Sequence, residues 1–165
     1  MLAALLEYSR ISSRTEEKST FDCNKLVKSI LSDFWREIDT TKTSINLIDL
    51  PESLIAEQKQ IRVLFSHLLD NAIKFRHSDT PPIIEISAKH QEGAWLFNVI
   101  DEGIGIPEEQ YKNVFQMFRR LNPDPEISGI GAGLTVAKKI VEYHGGKIWI
   151  ENCEKTIISF TLPKI

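Results

Sequence analysis

A chain of 165 residues with 42% hydrophobic and 26% charged residues is large enough to close one substantial core without disulfide or metal staples. Its formal net charge of −3 provides no bulk attraction to nucleic acid or to an anionic membrane, so neither is expected as a partner. No apolar run approaches the roughly 20 residues that span a bilayer, and Cys23 and Cys153 show no metal spacing, which fits reduced thiols in a cytoplasmic protein.

In chain order, Met1 to about Arg10 reads as helix, with Leu2, Leu5 and Leu6 on one side. The start is too short, and too poor in basic residues, for a signal peptide. Ser12 to Thr20 is polar and reads as a linker. Residues 1–20 are therefore expected to be the end of another unit plus a linker, and 21–165 the main domain. Asp22 is placed to cap a helix running to about Ile38, with Leu26, Ile30, Phe34 and Ile38 at helical spacing. Ser44 to Ile48 reads as a strand that Pro51 ends. A second helix is expected from about Glu57 to Arg76, bounded by Pro81-Pro82. Ile84–Ala88 and Trp95–Ile100 flank Glu92-Gly93 as a hairpin. Pro107-Glu108-Glu109 resembles a helix start. Leu121 to Ser128 reads as a loop. A third helix is expected from about Ala132 to Tyr143, stopped by Gly145-Gly146, before two strands over 147–151 and 157–162. Helices and strands are segregated and hairpins outnumber crossovers, which predicts an α+β two-layer sandwich.

Four segments carry candidate chemistry. On the second helix, His67, Asn71, Lys74 and Phe75 recur at spacings of three and four, so they share a face. Asn offers a neutral oxygen to a Mg²⁺ shell otherwise filled by phosphate and water, and Lys74 a point charge for phosphate. A solvated helix face has the same pattern. Asp101 ends a strand and opens Asp101-Glu102-Gly103-Ile104-Gly105-Ile106. A carboxylate there can accept the exocyclic amine of adenine, with Gly103 and Gly105 permitting close approach or positive φ; an ordinary Asp-Gly turn also looks like this. Val114 to Arg120 places Phe115 and Phe118 to anchor a cover, with Arg119 and Arg120 facing a polyphosphate or a partner. Gly129, Gly131 and Gly133 precede a helix whose N-terminus suits an anion, although a hinge would use the same residues. There is no G-x-x-x-x-G-K-[ST] loop, no G-x-S-x-G elbow and no His/Cys cluster.

Taken in order, these segments resemble the ATP-binding catalytic domain of sensor histidine kinases, the GHKL or Bergerat fold, over roughly Phe21 to Ile165. His67-Leu68-Leu69-Asp70-Asn71-Ala72-Ile73-Lys74-Phe75 resembles the N box, Asp101 to Ile106 the first glycine box, Phe115 to Arg119 the F box, and Gly129 to Leu134 the second glycine box. His144 to Ile150 and Phe160 to Pro163 are similar to the phytochrome-like branch. The resemblance implies a mixed, mainly antiparallel sheet with about three helices on one face. It implies ATP and Mg²⁺ as ligands. His67, Asn71 and Lys74 would serve phosphoryl transfer, with Asn71 on the metal. Phe75, Asp101, Gly103, Gly105 and Ile106 would surround the base. Phe118, Arg119, Gly129, Gly131, Gly133, Leu134 and Thr156 would complete the nucleotide site.

It also implies a dimerisation hairpin carrying the phosphoacceptor histidine, whose second helix would end near Ile11, a homodimeric full-length protein and a downstream response regulator. Three positions depart from the family pattern. His67 stands for an Asn, Ile130 for a Thr, and the late G-x-G-T segment is replaced by a short turn over 152–156. Binding is expected to tolerate these changes better than turnover, so a non-catalytic nucleotide- or protein-binding module is the alternative. An ATP hydrolase of the gyrase or chaperone type would place a Glu where His67 sits.

Overall fold

The computed structural model describes residues 2–13, 16–116, 133–152 and 154–164. Helix α1 (Leu2–Ser13) is followed by the three-residue strand β1 (Ser19–Phe21). Asp22 then caps α2 (Cys23–Asp33), its carboxylate accepting the Lys25 amide at 3.0 Å, one of the orphan donors of a helix start. The single helix expected to reach Ile38 is two. The Phe34 amide is shared between the Ile30 and Leu31 carbonyls, each at 3.2 Å, and this tightened turn separates α2 from α3 (Trp35–Thr41). Helical spacing alone does not register such a break, because Phe34 and Ile38 still pack on the core.

Strand β2 (Ser44–Ile48) leads to β3 (Leu54–Ala56), which pairs antiparallel with β1 in a small separate sheet. Neither short strand was legible locally. Ser19 and Thr20, expected in the linker, are held by this pairing to Ala56 and Ile55. Helix α4 (Gln58–Lys74) follows, then the hairpin β4 (Ile83–Gln91) and β5 (Ala94–Asp101). A 3₁₀ turn, Glu108–Gln110, follows Pro107, where a helix start was read. Helix α5 (Gly133–Tyr143) and the strands β6 (Ile148–Asn152) and β7 (Thr156–Pro163) complete the chain.

The main sheet has the order β2-β4-β5-β7-β6. Only β2 and β4 run parallel; the connection between them is long enough to hold β3 and α4, as a parallel pair requires. The other three pairings are antiparallel. Helices α4 and α5 lie on one face, α2 and α3 pack on α4, and α1 packs on α5. Alternation places Ile84, Ile86, Phe97, Val99, Ile158, Phe160 and Leu162 toward the helices, all buried. Phe65 of α4 meets Phe97 and Phe160 edge-on at 5.8 and 5.7 Å, and those two rings stack at 5.0 Å, so the helical layer is keyed to the two central strands.

The end of α5 is fixed by hydrogen bonds from the Gly145 amide to Glu142 and from the Gly146 amide to Val141, each 2.9 Å. With Gly145 at φ +81° this is a Schellman cap. His144 adds to it. Its Nδ1–H donates to the Ile140 carbonyl at 2.8 Å, and Nε2 accepts the Glu57 amide at 3.2 Å. The ring thus joins the end of α5 to the start of α4, and burial pushes its pKa down, toward the neutral form.

Candidate functional site

The C-terminal half of α4 presents the polar stripe. The apolar residues Leu64, Phe65, Leu68, Leu69, Ala72 and Ile73 are buried, which turns His67, Asn71 and Lys74, each half-buried, to the adjoining face. Asn71 contributes its carbonyl to the Phe75 amide at 3.0 Å, while its side-chain amide has no hydrogen-bond partner among the described residues. Lys74 is paired with Asp70 at 2.7 Å, one turn back. His67 Nε2 lies 3.1 Å from Glu7 Oε2 on α1.

The first glycine loop crosses the end of this helix. The Ile104 amide donates to the Phe75 carbonyl at 2.9 Å. A Cβ on Gly103 would stand 2.2 Å from that same oxygen and 2.8 Å from Asp101 Oδ1, so close approach is what position 103 requires. Gly105 is different: it has φ +78° with open space around it, so its need is conformational. This joint brings the Asn71–Phe75 end of α4 beside Asp101 at the end of β5. Ile106 packs against the core just beyond.

Asp101 is buried, at 8% exposure. Loss of solvent pushes its pKa up to about 6, opposed by the Gly103 amide donating to Oδ1 at 2.9 Å. Its Oδ2 has no partner among the described residues. Directly across the ladder stands Thr156, also buried. Oδ2 is not sealed from solvent, so a ligand donor can reach it, and such a donor would offset part of the cost of holding the charge in a largely buried place. The expected Thr156 position therefore joins the Asp101 end of the site.

Gly133 opens α5, and a Cβ there would meet His67 Nδ1 at 3.2 Å. Leu134 packs on the core. Thr135 donates its hydroxyl to the Phe115 carbonyl at 2.8 Å, fastening the first turn of α5 to a residue expected to anchor the cover. Phe118, Arg119, Gly129, Ile130 and Gly131 lie outside the described residues. Among the described residues no group of three or more His, Cys, Asp or Glu could hold a metal. A metal here would instead rest on Asn71, and the unpartnered side chain of Asn71 fits one hard-cation ligand completed by phosphate and water.

A hollow of ≈ 540 Å³ lined by Ile83, Glu85, Ile100 and Ile157 lies elsewhere. Strand alternation puts those side chains on the sheet face away from Asp101 and the helices.

Sequence reasoning missed Glu7 and Thr135. The Asp70–Lys74 pair was visible as an i, i+4 spacing. The Glu7–His67 contact spans 60 residues and left no local signal.

The histidine kinase-, DNA gyrase B- and HSP90-like ATPase family model matches residues 56–165. The phytochrome-like protein Cph1 of Synechocystis is 33% identical over 161 residues, covering 96% of this chain and 21% of its own length. The adaptive-response sensory kinase SasA of Prochlorococcus marinus is 40% identical over 141 residues, covering 81% of this chain and 36% of its own. The chain thus spans about a fifth of the phytochrome-like relatives it matches. Among solved structures, the catalytic domain of histidine kinase ThkA superposes with TM-score 0.78 at 26% identity, over 90% of this chain and 97% of that one. ThkA in complex with response regulator TrrA gives TM-score 0.80 at 26% identity, over 99% of this chain and 46% of that one. No described helix is long and apolar enough to cross a membrane.

Proposed function

Because the chain belongs to the histidine kinase-, DNA gyrase B- and HSP90-like ATPase family, we propose that it is the ATP-binding catalytic domain of a sensor histidine kinase. It would deliver the γ-phosphoryl group of ATP to an imidazole on a dimerisation hairpin. The observation that carries this reading is the joint at Gly103. It holds the buried Asp101 carboxylate beside the Phe75 end of α4, which supports a reading in which a base acceptor and a metal-competent amide serve one ligand.

Adenine would donate its exocyclic amine to Asp101, with Thr156 and Ile106 beside it and Phe75 closing the helix side. The triphosphate would run toward the start of α5, where first-turn amides without intrahelical partners and the helix dipole favour negative charge. Mg²⁺, when bound, would neutralise phosphate charge, with Asn71 as its protein ligand. The chain's own contribution is positioning. Phosphoryl transfer needs alignment and charge neutralisation more than covalent help from the protein. Lys74, paired with Asp70, has two further N–H donors for a phosphate. The full-length protein would be a homodimer that passes the phosphoryl group on to a response regulator, acting in the cytoplasm.

The engagement of His67 by Glu7 and of Lys74 by Asp70 favours a second reading, a nucleotide-binding module of the same fold without transfer activity. Incubating the protein with γ-labelled ATP, Mg²⁺ and an added histidine-bearing hairpin separates the two. Acid-labile label on the hairpin is expected. Saturable nucleotide binding with no label transferred would leave the second reading in place.

A further inference from the structure

Helix α1 precedes the region matched by the family model, yet it is seated on the site-bearing helices. Ile11 is buried, and its carbonyl accepts Gln60 Nε2 from α4 at 3.2 Å. The Lys139 ammonium of α5 sits 3.8 Å from the centroid of the Tyr8 ring, a cation–π contact. Between these anchors Glu7 reaches His67.

We propose that Glu7 is a positioning residue for His67: it accepts the Nε2 proton of the imidazole, and so leaves Nδ1 as an acceptor directed at the first turn of α5. This rests on the nucleotide reading above, in which that turn receives the phosphates. The His67 hydrogen bond, as the largest influence, holds the Glu7 carboxyl below its ordinary pKa. An ionised carboxylate only accepts, so Nε2 must donate. Whenever the ring is neutral it has one N–H, and Nδ1 is then the acceptor. Nδ1 stands 3.2 Å from where a Gly133 Cβ would lie, beside a helix start whose first amides have no intrahelical partner. Gly133 leaves room for the ring, and Glu7 fixes which way the ring faces. Two elements far apart in sequence thereby meet through one imidazole, and the seating of α1 becomes part of the phosphate end of the site.

The test uses the whole chain with ¹⁵N-labelled histidine, as wild type, Glu7→Ala and Glu7→Gln. Ring ¹⁵N shifts report the tautomer, and calorimetry compares a non-hydrolysable ATP analogue with adenosine, which lacks phosphates. At a pH where it is neutral, the wild-type ring should show protonated Nε2 and bare Nδ1. Glu7→Ala should mix the tautomers, let Nδ1–H donate to phosphate, and tighten the triphosphate analogue by about three- to tenfold, the range of one hydrogen bond, while adenosine binds as before. Glu7→Gln, whose amide oxygen still accepts, should restore the tautomer and the wild-type affinity. Unchanged ring shifts in Glu7→Ala, a triphosphate affinity that falls or does not change, or an equal change for adenosine, would overturn the proposal. A wild type that binds neither ligand would overturn the nucleotide reading, and the ring shifts alone would then decide whether Glu7 orients His67.

Discussion

Asp101→Asn should stabilise the ligand-free fold at pH 7 and weaken nucleotide binding by roughly 10- to 100-fold, the worth of a charged hydrogen bond. Both effects come from one buried carboxyl. Its pKa is raised from 3.8 to about 6 in the folded state, with loss of solvent the leading cause. The folded protein therefore binds this proton more tightly than the unfolded chain. The sign follows: between about pH 4 and 6 the folded state holds more protons at this position, so stability falls as pH rises. Above pH 6 the ionised group carries the whole cost, about 3 kcal/mol by the conversion of about 1.4 kcal/mol per unit.

Asn has nearly the same shape, no charge, and an oxygen that still accepts the Gly103 amide. It should remove that cost and raise the melting temperature by several degrees, at about 2–4 °C per kcal/mol for a domain of this size. The gain should vanish near pH 4. His144, whose pKa burial lowers, contributes the opposite slope: its stabilisation is lost as pH falls below 6.5. It is common to both proteins and cancels in the difference. For binding, Asn can present an N–H₂ where adenine presents its own, and the charge that strengthened the bond is gone. Wild-type affinity should itself fall below pH 6 as protons compete for the carboxylate. Thermal melts of both proteins from pH 4 to 8 with calorimetric titrations check this. An Asn variant less stable at pH 7 would show that Asp101 serves the fold and not a ligand.

Gly103→Ala should be the most damaging small substitution in the site. The new methyl would fall 2.2 Å from the Phe75 carbonyl oxygen and 2.8 Å from Asp101 Oδ1. The first of these is backbone at the end of a packed helix and cannot swing aside. Relief requires the loop to lift, which breaks the Ile104–Phe75 and Gly103–Asp101 hydrogen bonds. A cost of about 3 kcal/mol, at the upper end for overpacking, is expected, together with loss of nucleotide binding in whatever fraction folds. Gly105→Ala is the control. It meets no atom within 4 Å and carries only the strain of φ +78°, about 1 kcal/mol. Urea denaturation of the two variants should rank them in that order; equal costs would mean the joint yields.

The parts of the site that were legible in the sequence are those that local rules govern. Helical spacing put His67, Asn71 and Lys74 on one face, and a strand ending in Asp101 followed by glycines marked the loop. Gly145-Gly146 announced the α5 cap. What the sequence hid is long-range. The β1–β3 pairing joins residues whose short runs carry no period of their own. The break at Phe34 depends on one shared hydrogen bond, and the parallel β2–β4 pairing depends on where α4 returns the chain. Gly103 and Gly105 look alike in sequence, yet one is required by a neighbouring carbonyl and the other by its own backbone angle. The Glu7–His67 contact needed α1 to be placed before it existed.

In the proposed complex, Asp101 and Asn71 act on opposite ends of one nucleotide. Calorimetric titration of the wild type and of Asn71→Ala with a non-hydrolysable ATP analogue, each with and without Mg²⁺, tests it most directly. Saturable one-to-one binding to the wild type that tightens with Mg²⁺ is expected, as is binding to Asn71→Ala that persists but no longer responds to the metal. Absence of binding to the wild type, or a Mg²⁺ response that survives the substitution, would contradict it.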